Sequence, residues 1–317
     1  MSSAGSVPAP AVMAGAGTLR AEARWRRRDR RWGYVFVGPQ LLGMAVFVIV
    51  PFAVSLVLAF AKWDGLTALS WVGLANFRQE LTDPLFGQAI LHTLEIAAIT
   101  VPVGLGLAIV LAVALEQLRS RTLYLALFFA PVITSSIAVA MIWQQLLRSD
   151  GMISTAVSRI LHISPPDWLG DPRLALLAVC IVTIWSSLGL NVVIFLAGLQ
   201  NIPPTLIEAA RIDGAGTLDL FFRIRMPLLS PVVFFSTVIA FISSLQTFDI
   251  VFVLVPNAGP DNATRTIVYH IYDLGFGKTQ FGVASAASVI LLVLTLVITG
   301  AQFALQKRFV HYEDGAS

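Results

Sequence analysis

The stretch Pro203–Pro227, PPTLIEAARIDGAGTLDLFFRIRMP, is polar and lies between two long apolar runs, 173–199 and 227–255. Each flanking run exceeds the roughly 20 residues needed to cross a bilayer as a helix, so the stretch reads as a loop joining two membrane spans. Pro203 and Pro204 suit the first turn of a helix, where a missing N–H leaves nothing unpaired that was paired before. Thr205 to Asp213 are mostly good helix formers, and Glu208 stands three residues before Arg211, on one face and within pairing reach. Gly214 supplies the stop, because glycine enters the left-handed cap without strain. The spacing therefore predicts a short helix whose middle, Ala209 and Ala210, leaves its backbone open to close approach.

Outward from this loop the pattern repeats. Six stretches are long and apolar enough to span: 34–61, 89–115, 122–147, 173–199, 227–255 and 281–306. The chain is 57% hydrophobic and only 12% charged, far from the composition of a soluble domain. Pro39, Pro51, Pro102 and Pro131 fall inside these stretches, as membrane helices tolerate. Strict two-residue alternation is absent, which excludes a β-barrel. The expected fold is an all-α integral membrane protein with six transmembrane helices in residues 33–308. A disordered, arginine-rich N-terminal tail (1–32) precedes it and a short C-terminal tail (309–317) follows. The apolar run after the arginines is too long and too continuous for a cleaved leader.

Charge fixes the expected orientation. Of the 21 basic residues, fourteen fall in the N-terminal tail, the 116–121 loop, the 200–226 loop and the C-terminal tail. The other seven are Lys62, Arg78, Arg148, Arg159, Arg173, Arg265 and Lys278. By the positive-inside rule, both termini and the 200–226 loop are expected in the cytoplasm of a bacterial cell, with the protein multi-pass in its inner membrane. The longer loops 62–88, 148–172 and 256–280 then lie outside.

The loop also carries a resemblance. Glu208-Ala209-Ala210, three residues, Gly214, nine residues, Ile224, one residue and Met226-Pro227 resemble the signature loop of binding-protein-dependent ABC importer permeases. The family usually ends this motif in Leu-Pro, and Met226 keeps the apolar side chain. Trp71–Phe77 (WVGLANF) and Gly259–Phe276 (GPDNATRTIVYHIYDLGF) are similar to outer loops of the carbohydrate-type permeases, of the maltose and glycerol-3-phosphate kind, first subunit. The resemblance implies that 202–216 is a coupling helix seated on a separate ATPase subunit. Glu208, Ala209, Ala210, Asp213, Gly214, Ile224 and Pro227 would carry that contact. It further implies a second related permease, an extracytoplasmic solute-binding protein, and ATP with Mg bound by the partner subunits only. This chain would be a transport subunit, not an enzyme, and hold no cofactor of its own.

Polar side chains inside the spans are candidates for solute contact or for helix packing. Thr183, Ser187 and Asn191 lie on the fourth stretch, and Ser244, Gln246 and Asp249 on the fifth. If the fifth stretch is one helix, Asp249 sits roughly 33 Å from Pro227, near the outer mouth. His92 and Glu95, at i and i+3, are a candidate ion pair. The positions matching the family's pocket are Ser136, Thr183, Ser187, Leu190 and Ser244, and Phe248 would supply an aromatic wall to a sugar. No arginine or lysine lies deep in a span, which speaks against a fixed anionic site.

Other classes fare worse. Gly275-Phe276-Gly277-Lys278-Thr279 ends like a phosphate loop, but Tyr272 stands where the first glycine is required. There is no HExxH, CxxC or G-x-S-x-G. The single Cys180 allows no internal disulfide and implies no metal cluster, and no basic–aromatic stripe suggests nucleic acid. A secondary transporter would tend to show internal repeats and a charged mid-membrane residue, and neither is present. Within the same fold, a permease for glycerol-phosphate-type or other small polar solutes is the alternative to a sugar permease.

Overall fold

The computed structural model describes residues 35–116, 118–162 and 164–309, with the side chains of 307–309 excepted. The expectations for the tail 1–32 and for nearly all of 309–317 lie outside the described residues. The first unit ends at Val57 and consists of most of the apolar helix α1 (Val35–Leu58). Pro51 cannot donate a backbone hydrogen bond, and the turn before it, Ala45–Ile49, opens into a π turn closed by Val50 N–H on the Ala45 carbonyl.

The second unit, from Leu58 onward, is a helical bundle apart from one two-residue strand pair, β1 (Ala61–Lys62) with β2 (Ser70–Trp71). The hairpin turn is held by the Asp64 carboxylate, which accepts from the Leu66 and Thr67 N–H groups and the Thr67 hydroxyl. These bonds hold the Asp64 pKa down at about 2. A short helix α2 (Ala75–Thr82) leads into α3 (Pro84–Glu116), a 33-residue helix with Pro102 inside. Next along the chain are α4 (Arg121–Ile133), α5 (Ser136–Leu147), α6 (Met152–Leu161) and α7 (Pro172–Gln200). Helix α7 starts on an aspartate cap: the Asp171 carboxylate accepts from Arg173 and Leu174 N–H, with Pro172 at the first helical position. The remainder is α8 (Pro204–Ile212), α9 (Thr217–Leu245), α10 (Asp249–Leu254), α11 (Ile267–Tyr272) and α12 (Phe281–Phe309).

Two of the six expected spans are not single helices. The 122–147 stretch breaks at Thr134-Ser135, where the chain turns by 99° between α4 and the α5–α6 segment. Pro131 brings no N–H to the last turn, Thr134 is extended at ψ 141°, and its hydroxyl donates to the Ala130 carbonyl. The 227–255 stretch stops at Leu245, and Gln246-Thr247-Phe248 separate α9 from α10. Asp249 therefore starts a new short helix, and the straight-helix depth expected for it does not hold. Among the described residues five helices are long and apolar enough to span, or six if the bent pair is one span.

Helices α3 and α7 form the central packing pair, with α4 against α7 and α9 along α3. Among the described residues three apolar clusters fill the bundle, one of them around Phe86, Ile267 and Ala287, and the other two flank its middle. Ala108, Phe195, Leu199, Ile202 and Leu229 form one near α8. Ile96, Val179, Val251, Leu254 and Tyr269 form the other, at the end carrying α10 and α11. Many apolar side chains point outward, Leu296 and Val297 on α12 among them, as a lipid-facing surface requires.

Candidate functional site

The loop between α7 and α9 folds as its residues dictate. Asp213 caps α8, and Gly214 comes next at φ +85°. Gly214 N–H bonds the Arg211 carbonyl at 3.1 Å and Ala215 N–H the Ala210 carbonyl at 2.9 Å, which is a Schellman stop. Glu208, Ala209, Asp213 and Gly214 are exposed, and Ala210 is half-buried. Glu208 and Arg211 share this face but form no ion pair within 4.0 Å; both border a cavity of about 730 Å³ behind the helix. On the open side, Ile212 is 86% exposed, Leu218 73% and Phe222 65%. Ile224 and Pro227 are half-buried, in the π turn Phe221–Arg225 and the helix it opens.

One charge of this loop is buried. Arg225 Nη1 lies 3.0 Å from Glu116 Oε2, with side chains 10% and 20% exposed. Their angle falls outside hydrogen-bond geometry, so the contact is an ion pair by distance, and Arg225 Nε has no partner. Glu116 sits in the last turn of α3, where the helix dipole disfavours an acid, so a cationic partner is what the position calls for. That signal was present in the sequence.

A small polar cavity of about 140 Å³ opens between α3, α7 and α9. Of the pocket candidates, Thr183, Ser187, Leu190, Asn191 and Ser244 line it together. Ser136 is exposed beyond the α4–α5 bend, and Gln246, Phe248 and Asp249 lie past the end of α9; none of these four lines the cavity. Phe248 instead packs against Phe252, Tyr269 and Tyr272. The sequence reading missed Thr100 and Gly104, the α3 contribution. Their signal was faint: a small residue one turn after a threonine inside a uniformly apolar helix.

Hydroxyl bonding in the cavity can be traced proton by proton. Thr100 Oγ1 donates to the Ile96 carbonyl at 2.7 Å, so its 3.2 Å contact with Ser244 Oγ must be a bond that Ser244 donates. Ser187 Oγ donates back to the Thr183 carbonyl and Asn191 Nδ2 to the Ser187 carbonyl. The Thr183 hydroxyl is buried and has no protein partner. The cavity thus offers free lone pairs and the buried, unspent Thr183 hydroxyl, with no basic group among the residues that line it.

At the opposite end of the bundle, α2 and α11 are joined by buried charges that sequence reasoning did not bring together. Arg265 Nε donates to His270 Nδ1 at 3.0 Å, which leaves the ring proton on Nε2, 3.0 Å from Glu80 Oε2. Arg265 also pairs with Asp273, and Lys278 lies 3.6 Å from the same carboxylate. Burial pushes the Asp273 pKa up, but Arg265 and then Lys278 outweigh it and the net shift is downward. Burial, then the nearby Asp273 charge, raise the Tyr269 phenol. Glu80, Asp83 and His270 hold ligand atoms within 4.8 Å of one another. The proton on Nε2 and the adjacent guanidinium both oppose a cation there. His92 and Glu95, the expected pair on α3, form no ion pair.

A sequence profile described as the binding-protein-dependent transport system inner membrane component matches residues 104–311. The chain belongs to that family. It is 34% identical over 297 residues to a probable ABC transporter permease protein, YesP, of Bacillus subtilis (strain 168), covering 92% of this chain and 96% of that one. It is also 32% identical to the lactose transport system permease protein LacF of Rhizobium radiobacter, over 86% and 92% of the two chains. The sn-glycerol-3-phosphate permease UgpA of Agrobacterium fabrum (strain C58 / ATCC 33970) is 34% identical, over 88% and 96%. In fold, the chain is similar to a chain of a bacterial ABC transporter involved in the import of alginate, with a TM-score of 0.80 at 24% identity over 91% and 100%. The family member described here is thus a multi-pass inner-membrane permease subunit and not itself an enzyme.

Proposed function

We propose that this permease is the membrane-spanning subunit of an ATP-driven importer that moves a neutral sugar or sugar-like solute into the cell by alternating access. The observation that carries the coupling part is α8. It is short, stopped by Gly214, and next to an apolar surface of Ile212, Leu218 and Phe222 that is uncovered. Such a surface in a polar loop calls for a partner. An ATPase subunit seated on it would push α8 when ATP closes the ATPase pair, and Glu208, Ala209, Ala210 and Asp213 would form the contact. The basic-residue bias supports the cytoplasm for α8 and both termini.

The solute would pass through the cavity of Thr100, Thr183, Ser187, Asn191 and Ser244, whose hydroxyls and amide suit a polyhydroxylated molecule. At about 140 Å³ it is below the roughly 300–1,000 Å³ of a ligand pocket, and Ser187 and Leu190 are exposed beside it. Both features support a second permease subunit that completes the site. A solute-binding protein would deliver from the end carrying α10 and α11. Coupling of this kind needs two discrete states that both sites bias.

Relatives named for lactose, multiple sugars and sn-glycerol 3-phosphate leave two solute classes in view. The lack of any arginine or lysine on the cavity wall favours the uncharged one. The test is uptake of labelled disaccharides against labelled sn-glycerol 3-phosphate in cells expressing the whole importer. Disaccharide uptake that is lost on deleting the ATPase gene supports the reading. Uptake of the phosphate alone moves the solute class, and uptake that survives the deletion overturns the importer.

A further inference from the structure

Glu116 and Arg225 stand where two structural paths cross. Arg225 closes the π turn between α8 and the long part of α9. A π turn holds one residue more than an α turn, so it rotates the succeeding side chains by about 100° around the helix axis. Here it leaves Arg225 buried, whereas Arg223, two residues earlier, is exposed and pairs locally with Asp219. Glu116 is the last residue of α3, whose Thr100 and Gly104 wall the polar cavity four turns further along. The ion pair therefore joins the loop segment that contains α8 directly to a wall of the cavity.

Helices α7 and α9 flank α8 and wall the same cavity, so the loop also reaches the solute path along the chain; the Glu116–Arg225 pair is its charged link to α3. The cavity of about 730 Å³ behind α8 is lined by Glu116, Arg225, Glu208 and Arg211, so on this face α8 is not packed solidly onto the bundle. The apolar contacts of Ile202 and Ile207 with the core anchor the start of α8, but greasy side chains slide past one another without a preferred register. A charge pair in a half-dry setting has a preferred register, because separation leaves each charge poorly solvated.

We propose that the Glu116–Arg225 ion pair is the tie that transmits displacement of α8 to α3 and thereby to the solute cavity. Both residues are positioning residues: neither touches solute nor nucleotide. The proposal rests on the reading of α8 as a coupling helix, and its test separates the two.

The assembled importer in lipid nanodiscs, with Cys180→Ala in this chain, carries spin labels in two pairs. Thr205→Cys with Val297→Cys reports α8 against α12, and Leu107→Cys with Val297→Cys reports α3 against α12; Leu107 and Val297 are exposed. Distances are measured without nucleotide and after trapping with MgATP and orthovanadate. In the wild type both distances shift. In Glu116→Gln and in Arg225→Gln the α8 shift remains and the α3 shift is lost. Arg225→Lys retains the α3 shift, and the exchange Glu116→Arg with Arg225→Glu restores it. An undiminished α3 shift in both single variants overturns the tie. Failure of both single variants to assemble makes the pair a folding element and overturns it as well. Absence of the α8 shift in the wild type refutes the coupling role of α8 itself.

Discussion

His270 Nε2 on α11 lies 3.0 Å from Glu80 Oε2 on α2, both side chains being buried, across 190 residues of sequence. Arg265 at Nδ1 sets which nitrogen carries the proton. The short helices at this end are thereby locked to each other by one donor and one acceptor. Removing the donor strands a carboxylate whose other oxygen, Oε1, already lacks a partner. His270→Ala is expected to destabilise by at least about 1–3 kcal/mol, the penalty for leaving a buried acceptor without its donor, which is larger when that acceptor is a carboxylate. Glu80→Gln keeps a carbonyl acceptor for the same proton and should be several times milder. Thermal unfolding of the purified protein in detergent checks the ranking, and equal losses in the two variants would contradict the lock.

Asp273 gives this end a pH dependence whose sign is set by its lowered pKa. A carboxyl titrating lower in the folded state than in the unfolded chain contributes stability above its ordinary value of 3.8, and that contribution fades as pH falls through the folded value. Lowering the pH from about 5 to about 3 should therefore reduce the melting temperature of the wild type more than that of Asp273→Asn. Parallel melting curves for the two across that range would remove Asp273 from the account.

The parts legible in the sequence were those governed by neighbouring residues. Helix α8 and its stop depend on Pro204, Gly214 and the residues between them, and they stand as expected. Hydropathy found every spanning region, because lipid asks only that a stretch be apolar and long. It could not see the breaks at Thr134-Ser135 and Gln246–Phe248, since the residues there are not much less apolar than a helix tolerates. Both helices end in tightened i→i+3 bonds: Thr134 N–H on the Pro131 carbonyl, and Gln246 and Thr247 N–H on the Ser243 and Ser244 carbonyls. Five of the nine pocket candidates converge because α7 and α9 run regularly through the middle of the bundle. Of the other four, Ser136 came from the resemblance and falls beyond the α4–α5 bend, while Gln246, Phe248 and Asp249 fall past the end of α9 on a stretch expected to be one helix. The Glu116–Arg225 and Glu80–His270 pairs are long-range: an acid in the last turn of α3 signals the need for a cation but not which one, and nothing local announces the partner of Glu80.

Gly214 separates backbone strain from steric clash. Its φ is +85°, and a Cβ placed there would meet nothing within 4 Å. Gly214→Ala should therefore act only through the left-handed backbone, at about 1–2 kcal/mol, and loosen the end of α8. Gly214→Asn, which tolerates that conformation, should recover most of the loss. Solute-stimulated ATPase activity of the assembled importer is the measurement, with membrane content of the subunit as control. An alanine variant as active as the wild type would show that the α8 stop does not matter to coupling.

Gly189 presents the opposite case, since its φ is ordinary and its surroundings are not. A Cβ at Gly189 would lie 2.0 Å from the Phe128 carbonyl oxygen, because the α4 backbone runs directly against α7 at that point. Backbone cannot yield as a flexible side chain can, so Gly189→Ala must push α4 away from α7. Small residues permit this kind of close approach between membrane helices, and van der Waals packing is a main source of their association. At Gly104, in contrast, an added Cβ would sit 3.8 Å from Ile184, an ordinary contact, and φ is unremarkable there. Gly189→Ala is expected to cost at least about 1–3 kcal/mol, as overpacking does. Gly104→Ala should fold normally and, if anything, gain helix propensity of about 1 kcal/mol while narrowing the polar cavity. The informative comparison is yield and melting temperature together with uptake: Gly189→Ala should fail in all three, Gly104→Ala in uptake alone. A stable Gly189→Ala protein would mean that α4 and α7 are not in backbone contact.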